Sequence, residues 1–299
     1  MQRFSLREFK EDYGTHDKCL EAIKRLRFPD LMECPKCKLQ EKFYKVKSRT
    51  SYACNNCGYH IYPLAGTIFE KTSTPLDLWF FAMYLMTQTR SGTSAKQLER
   101  MLGVTYKTAW RIFKQIRMLM TQTPSLLDGI VEVDETFIGG KGKNRAYQWR
   151  ANKPKQIVMG IVKRRGTAYL KHIPNTNMYT LINQVRENID TKAFVMSDDY
   201  HAYKRLGEYG YNHHYSVIHS EGQYVKWHGL VHNNTIESLW SQLKRGIYGV
   251  YRNVSKKYLQ AYVDEYTWRY NNRRFKERMF DRLLRQITEV TSLKDLKPA

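Results

Sequence analysis

The chain has 299 residues, enough for two or three domains with a sizeable core, and a formal net charge of +22 from 50 Lys+Arg against 28 Asp+Glu. Such a surplus suits a phosphate-rich partner, because each neutralised phosphate releases counterions; with 6 Trp, 22 Tyr and 12 Phe among the basic residues, nucleic acid stands ahead of an anionic membrane or a merely soluble basic protein. Residues 1–14 are polar and charged, which argues against an export signal, and the longest apolar run, 78–86, is far short of the roughly 20 residues that span a bilayer.

Residues 1–30 have helix-like apolar spacing at Phe4, Phe9, Cys19, Leu20, Ile23 and Leu26, with Cys19 a small core residue. Residues 31–62 hold Cys34-Pro35-Lys36-Cys37 and Cys54-Asn55-Asn56-Cys57, two pairs on tight turns that can offer four thiolates tetrahedrally to one Zn²⁺. Tyr44, Val46, Tyr52 and Tyr59 supply short strands, as in a zinc ribbon. A four-cysteine site has no open position, so this zinc folds the module and does no chemistry. A redox role for one Cys-x-x-Cys is excluded by the second pair and by the lack of a following βαβ pattern.

Residues 63–125 read as helices. Pro75 is placed at the first helical position of one, and 78–86 is its buried part. Residues 95–117 read as helix, glycine turn and capped restart, with Ala109, Ile112, Phe113 and Ile116 on the inner face of the second helix. This is a helix-turn-helix pattern in which Tyr106, Lys107, Arg111, Lys114 and Arg117 are candidate DNA contacts; a hairpin used only for packing is the alternative.

Residues 126–290 read as an α/β domain, ahead of a polar tail to 299. Its first strand, at 131–138, has Glu132 and Asp134 on one face and Val131, Val133 and Glu135 on the other. An acid in a central strand costs several kcal/mol unless a cation offsets its charge. Glu132 is assigned either to support the metal ligands or to pair with a basic residue. A basic loop at 141–155, including Lys141 and Lys143, follows; then come a hairpin across Arg164-Arg165-Gly166, a helix at 178–189, and a buried strand at 193–197 running into Asp198-Asp199. Strand, hairpin, helix, strand, helix is the order of a ribonuclease-H-like fold with a mixed sheet, which makes the chain a multidomain α+β protein.

Asp198 closes its strand and is the metal candidate; Asp199 is the spare, and fits better as a cap before Tyr200. On the next helix Ile236, Leu239, Leu243 and Ile247 form the packed stripe, and Glu237, Ser241 and Lys244 share a neighbouring face. Alone, Glu237 and Lys244 fit a solvated helix face. Their order after Asp134 and Asp198 gives three carboxylates able to hold two Mg²⁺ or Mn²⁺ for in-line attack on a phosphodiester, with Lys244 and Arg245 meeting phosphate. His213, His214, His219, His228 and His232 are too irregularly spaced for a second zinc centre; His232 and Asn234 are placed at the rim of the site.

These motifs together resemble the ISXO-type transposases of bacterial insertion sequences, related to the eukaryotic Merlin elements. The resemblance runs through Cys34/Cys37/Cys54/Cys57, Ala65-Gly66-Thr67-Ile68-Phe69, Leu102-Gly103-Val104-Thr105-Tyr106, Val133-Asp134-Glu135-Thr136-Phe137, His232-Asn233-Asn234-Thr235-Ile236-Glu237, Leu243-Lys244-Arg245-Gly246 and Trp268-Arg269-Tyr270-Asn271. It implies a DDE-type domain with Asp134, Asp198 and Glu237 as metal ligands and Lys244 as the trailing basic residue. It further implies binding of terminal inverted repeats, strand cleavage and joining to target DNA. Where the family commonly has Asp-Gly this chain has Asp198-Asp199, and Asp198 is kept as the ligand. The partners expected are double-stranded DNA, as transposon ends and target, and a second copy in a dimer or larger synaptic complex, with no membrane, small-molecule substrate or organic cofactor. The expected setting is cytoplasmic and nucleoid-associated in a bacterium, or nuclear for a eukaryotic element. A DNA-binding regulator without catalysis is the alternative, disfavoured by the intact acidic set, and a plain nuclease is disfavoured by the two DNA-binding modules.

Overall fold

The computed structural model describes residues 3–29, 33–122, 125–139, 155–217, 225–226 and 230–289. The basic loop with Lys141 and Lys143, the polar tail, and His219 and His228 lie outside the described residues. Contacts divide the chain into Met1–Met120 with Phe275–Ala299, and Thr121–Arg274.

The first unit opens with two helices. Helix α1 (Leu6–Tyr13) is held at its start by a Ser5–Glu8 capping box; after Gly14, Thr15 caps α2 (His16–Arg27), which buries Cys19, Leu20 and Ile23. Strands β1 (Phe43–Lys45), β2 (Tyr52–Cys54) and β3 (His60–Ile61) form a three-stranded antiparallel sheet around the cysteine pairs. Helix α3 (Leu76–Gln88) buries Trp79, Phe80, Ala82, Met83, Tyr84 and Met86; Pro75 stands one residue ahead of the position expected, as its N-cap. Helix α4 (Ala95–Leu102) stops at Gly103, which takes the left-handed φ of 64° that favours glycine, and Thr105 caps α5 (Tyr106–Met118) through the Thr108 amide. The helix-turn-helix arrangement is therefore present, on the inner face expected: Ala109, Ile112, Phe113 and Ile116 are buried.

Helix α9 (Met279–Glu289) corrects the domain boundary expected at 290. Its Phe280 is fully buried among Phe4, Phe9, Tyr13 and Phe80, aromatic partners on or beside α1 and α3. Ring contacts of this number outweigh sequence proximity to the α/β unit.

The second unit is built on a sheet ordered β6-β5-β4-β7-β8: β4 (Ile130–Ile138), β5 (Gln156–Lys163) and β6 (Ala168–Ile173) pair antiparallel, while β7 (Phe194–Asp198) and β8 (His214–Val217) continue parallel to β4. This is the mixed sheet expected of a ribonuclease-H-like domain. Strand β8 goes beyond the elements expected, since its residues read as histidine-rich surface. Val131 and Val133 face helix α6 (Met178–Asn188) and the 3-10 turn Tyr203–Tyr209 in one apolar layer. On the other face, Val158, Val162 and Leu170 pack under Ile236, Leu239, Trp240 and Leu243 of α7 (Asn234–Arg245) and Val263 and Tyr266 of α8 (Leu259–Asn272). The free edge of β6 is covered by side-chain amides: Asn271 exchanges hydrogen bonds with both backbone groups of Ala168, and Gln260 accepts from the His172 amide at 2.7 Å. Among the described residues no helix is long and apolar enough to cross a membrane.

Candidate active site and zinc cluster

Two turns of the same design bring the cysteines together. In each, the amide four residues after the first cysteine donates back to that cysteine's carbonyl: Lys38 to Cys34 at 2.9 Å and Gly58 to Cys54 at 3.0 Å. Both turn residues take a left-handed φ, 62° at Lys38 and 68° at Gly58. The four sulfurs all lie within 4.8 Å of one another, with Cys34–Cys57 at 3.6 Å and Cys37–Cys54 at 3.9 Å. A zinc ion with Zn–S bonds of about 2.3 Å at the centre of a tetrahedron requires sulfur–sulfur edges of about 3.8 Å. The donor set therefore fits zinc, and none of the four is in a disulfide. The Leu39 backbone amide favours the Cys37 thiolate, while desolvation and the neighbouring cysteines raise Cys57, so one thiolate is favoured over several until a cation joins them.

The carboxylates gather differently. Asp134 lies in mid-β4, opposite Gly160 of β5. A Cβ at Gly160 would come within 2.6 Å of the Trp240 ring, so glycine is what lets that indole lie over the sheet. From there its Nε1–H donates to Asp134 Oδ2 at 2.8 Å. Asp198 ends β7, the parallel neighbour of β4, and its Oδ1 accepts from the Tyr200 amide at 3.1 Å. That bond puts Asp198 in the turn-forming position that Asp199 was expected to fill. Glu237 is exposed in the first turn of α7. Burial pushes Asp134 up to about 6, and the charges of Asp198 and Glu237 add to the rise. Glu135, on the opposite face as alternation requires, accepts from the Tyr203 hydroxyl and is pushed up to about 8 by burial, with Asp134 and Asp198 adding. Among the described residues only the cysteines form a group of three or more ligand side chains at mutual ligating distance, so the carboxylates share a field without closing on a common point.

Glu132 fixes how α7 meets this field. It is 0% exposed and pairs with Arg164 at 2.6 Å, the basic partner of one of its two expected roles. Its second oxygen accepts from the backbone amides of Thr235 and Ile236 at 2.8 and 2.9 Å. A carboxylate from the neighbouring strand thus caps the helix that carries Glu237, where the helix dipole favours negative charge. His232 lies 3.3 Å from Glu132, and its Nδ1 accepts from the Asn234 amide at 3.2 Å; burial and Arg164 hold its ring below the ordinary value. Lys244 is half-buried, Arg245 exposed, and α7 passes into a π-helical turn at Gly246–Tyr251. Gly246 is required there, since a Cβ would fall 1.4 Å from the Tyr266 hydroxyl. His213 stacks on Phe194 and His214 bonds Ser197 at 2.8 Å, so neither joins a metal cluster.

With this geometry in place, two families match. Residues 126–271 match the family described as ISXO2-like transposase domain, and residues 14–60 match the transposase zinc-ribbon domain. The α/β unit carries an ISXO2-like transposase domain, and a transposase zinc ribbon precedes it. It is 28% identical over 273 residues to a protein in the transposable element ISH50 of Halobacterium salinarum, covering 84% of this chain and 89% of that protein. A transposase-like protein of Haemophilus influenzae is 25% identical over 121 residues, 40% of this chain and 93% of its own length. The zinc-ribbon match starts at residue 14, so it takes in α2 as well as the cysteine turns.

On the transposase's helix-turn-helix, Tyr106, Lys107 and Arg111 are exposed and Lys114 is half-buried. Arg111 is already engaged, donating to Thr74 Oγ1 at 2.9 Å. Arg117 is a correction: it is 2% exposed with its guanidinium 3.7 Å from the Phe113 ring centroid, so it packs in the core and cannot meet DNA from there. Helical spacing assigned it to the polar face, whereas the last turn of α5 is enclosed on that side too. Sequence reasoning also passed over Trp240 and Gly160. The signal available was the strand alternation, which puts Asp134 on the face where a tryptophan one turn beyond Glu237 lands.

Proposed function

We propose that this transposase binds the ends of its own element and performs metal-dependent strand cleavage and strand transfer, with Asp134, Asp198 and Glu237 as the metal-holding carboxylates. The observation that carries this reading is the placement of Asp134 at the centre of β4, its Oδ2 held by the Trp240 indole, with Asp198 at the end of the adjoining parallel strand. Burial disfavours the charged form of Asp134 and the charges of Asp198 and Glu237 disfavour it further, which a bound cation would offset; their hard oxygen donors fit Mg²⁺ or Mn²⁺. Two such ions, when bound, supply activation of the attacking oxygen and charge neutralisation at the leaving one.

The chain's own residues do the positioning. Trp240 fixes one oxygen of Asp134, and the Tyr200 amide fixes one of Asp198. Glu132 and Arg164 hold the start of α7, and with it Glu237. Lys244 and Arg245, in the last turn of α7, meet phosphate flanking the reacting bond. Tyr106 and Lys107 on α5 contribute to reading the element's ends, and Lys141 and Lys143 add phosphate contacts. Two ends processed together call for a dimer or larger synaptic complex.

The test is Mg²⁺-dependent cleavage of DNA carrying the element's ends, by wild type beside Asp134→Asn and Glu237→Gln. Loss of several kcal/mol of charge stabilisation predicts a fall of about 10³-fold or more in each variant. Specific end binding without cleavage, equal in all three proteins, overturns the reading and leaves a DNA-binding regulator.

A further inference from the structure

The α/β unit carries a second charged feature, which shares Arg164 and Thr235 with the support of α7 and otherwise lies outside the carboxylate site. A cleft of about 690 Å³ opens between the β5–β6 hairpin, the end of α8 and one side of α7. Arg164, Arg165, Arg273 and Arg274 line it with Ser238 and Gln242, and among the described residues no aspartate or glutamate lines it. Arg164 is matched by Glu132. Arg273 and Arg274 are tied down by neutral groups: Arg274 Nη1 donates to the Arg165 carbonyl at 2.7 Å, and Arg273 donates to the Gly166 carbonyl at 3.4 Å while lying 3.4 Å from the Tyr270 ring centroid. Carbonyl oxygens and a ring hold the Arg273 and Arg274 guanidinia, contacts that bring no negative charge to them. Arg165 itself sits at φ 58° in the hairpin turn, where glycine would be unstrained. A strained arginine at the tip of a charged cleft points to a use for its side chain.

Resting on the transposase reading above, we propose that this cleft takes the phosphodiester backbone of the DNA strand leading away from the carboxylate site. Ser238 directly follows Glu237, and the charge of Glu237 reaches His232 at the cleft's edge, so the two features adjoin along α7. Thr235, Ser238 and Gln242 recur on one side of the helix over about 10 Å, a span of roughly three phosphates along one strand. Guanidinium forks match phosphate oxygens, and hydroxyl and amide donors extend the track without reading bases. The cleft contributes affinity that is uniform across sequences.

The experiment measures how DNA binding by the full, zinc-loaded chain depends on salt, using a short duplex of arbitrary sequence and one carrying the element's end. Removing both exposed guanidinia in Arg165→Ala/Arg274→Ala lowers the slope of log K against log salt by about 2 for both duplexes, one per arginine. The Arg165→Lys/Arg274→Lys pair keeps the wild-type slope. Should the alanine pair melt early or lose zinc, Gln242→Glu, which sets a negative charge on exposed helix surface inside the cleft, weakens both duplexes alike. Wild-type binding with a slope that neither the alanine pair nor Gln242→Glu changes overturns the cleft and leaves the transposase reading standing. Wild type that binds neither duplex overturns both.

Discussion

The cysteine cluster and the carboxylate site proposed for metal are built on opposite principles. The cysteine cluster is already at its bound geometry: two hydrogen-bonded turns set sulfur pairs at 3.6 and 3.9 Å, close to a zinc tetrahedron's edge. The carboxylates are spread over three elements, and burial first, with the charges of Asp198 and Glu237 adding, raises Asp134 to about 6. Local backbone builds the first, from turns a few residues long. Tertiary structure builds the second, from a strand centre, a strand end and a helix. A closed thiolate site suits a metal that folds the protein; an open, mutually repelling acidic site suits metals that arrive with a polyanion.

The largest effect expected from this contrast is on zinc. Structural zinc sites carry about 10–16 kcal/mol of apparent binding free energy, and that energy is folding energy. Chelation should therefore open the ribbon to protease between Cys34 and Cys57 while strands β4 to β8 stay protected, read by mass spectrometry of the fragments. Equal protection of the ribbon with and without chelator would break the comparison.

A smaller effect is expected where the acidic site meets its scaffold. Glu132→Ala leaves Arg164 without its partner and the Thr235 and Ile236 amides without their acceptor. Breaking a buried pair of this kind costs about 3–5 kcal/mol. Denaturant melts should show that loss, with hydrogen exchange fastest at the start of α7. The smallest effect sharpens the ribbon side. Lys38 and Gly58 hold equivalent left-handed turn positions, and only one is glycine. Lys38→Gly should stabilise the zinc-loaded ribbon by roughly 1 kcal/mol or less, and Gly58→Ala, which has open space around its new Cβ, should destabilise it by about as much through conformation alone.

The same contrast decides how much was legible beforehand. Cysteine spacing is local chemistry, so the ribbon could be read from four residues. Strand alternation likewise separated Glu132 and Asp134 from Glu135, and the packed stripe of α7 followed from helical spacing. What escaped depends on contacts between distant segments. The indole that holds Asp134 needs Gly160 on a neighbouring strand, and no periodicity in either segment announces that. Glu132 could be paired with a basic residue in advance, but its capping of α7 required knowing which helix lies over which strand. Arg117 followed the polar spacing of α5 yet is buried, because spacing describes one helix and burial depends on everything around it. Helix α9 likewise joins the N-terminal unit through Phe280, whose partners lie some 200–275 residues away in sequence.

The most direct test of the central claim, that Asp134 belongs to a cation site strained by its own charge, is thermal melting of wild type and Asp134→Asn with and without Mn²⁺. Because the folded-state value of Asp134, about 6, lies above the ordinary 3.8, its contribution to stability is full below about pH 4 and is lost as pH rises through 6. At pH 8 without divalent cation the ionised carboxylate therefore costs up to about 3 kcal/mol, and Asp134→Asn should melt above wild type. Mn²⁺ should raise wild type and leave the variant unmoved, inverting the order. If the variant melts lower in both conditions and Mn²⁺ shifts the two proteins alike, Asp134 is not part of a metal site and the account fails at its centre.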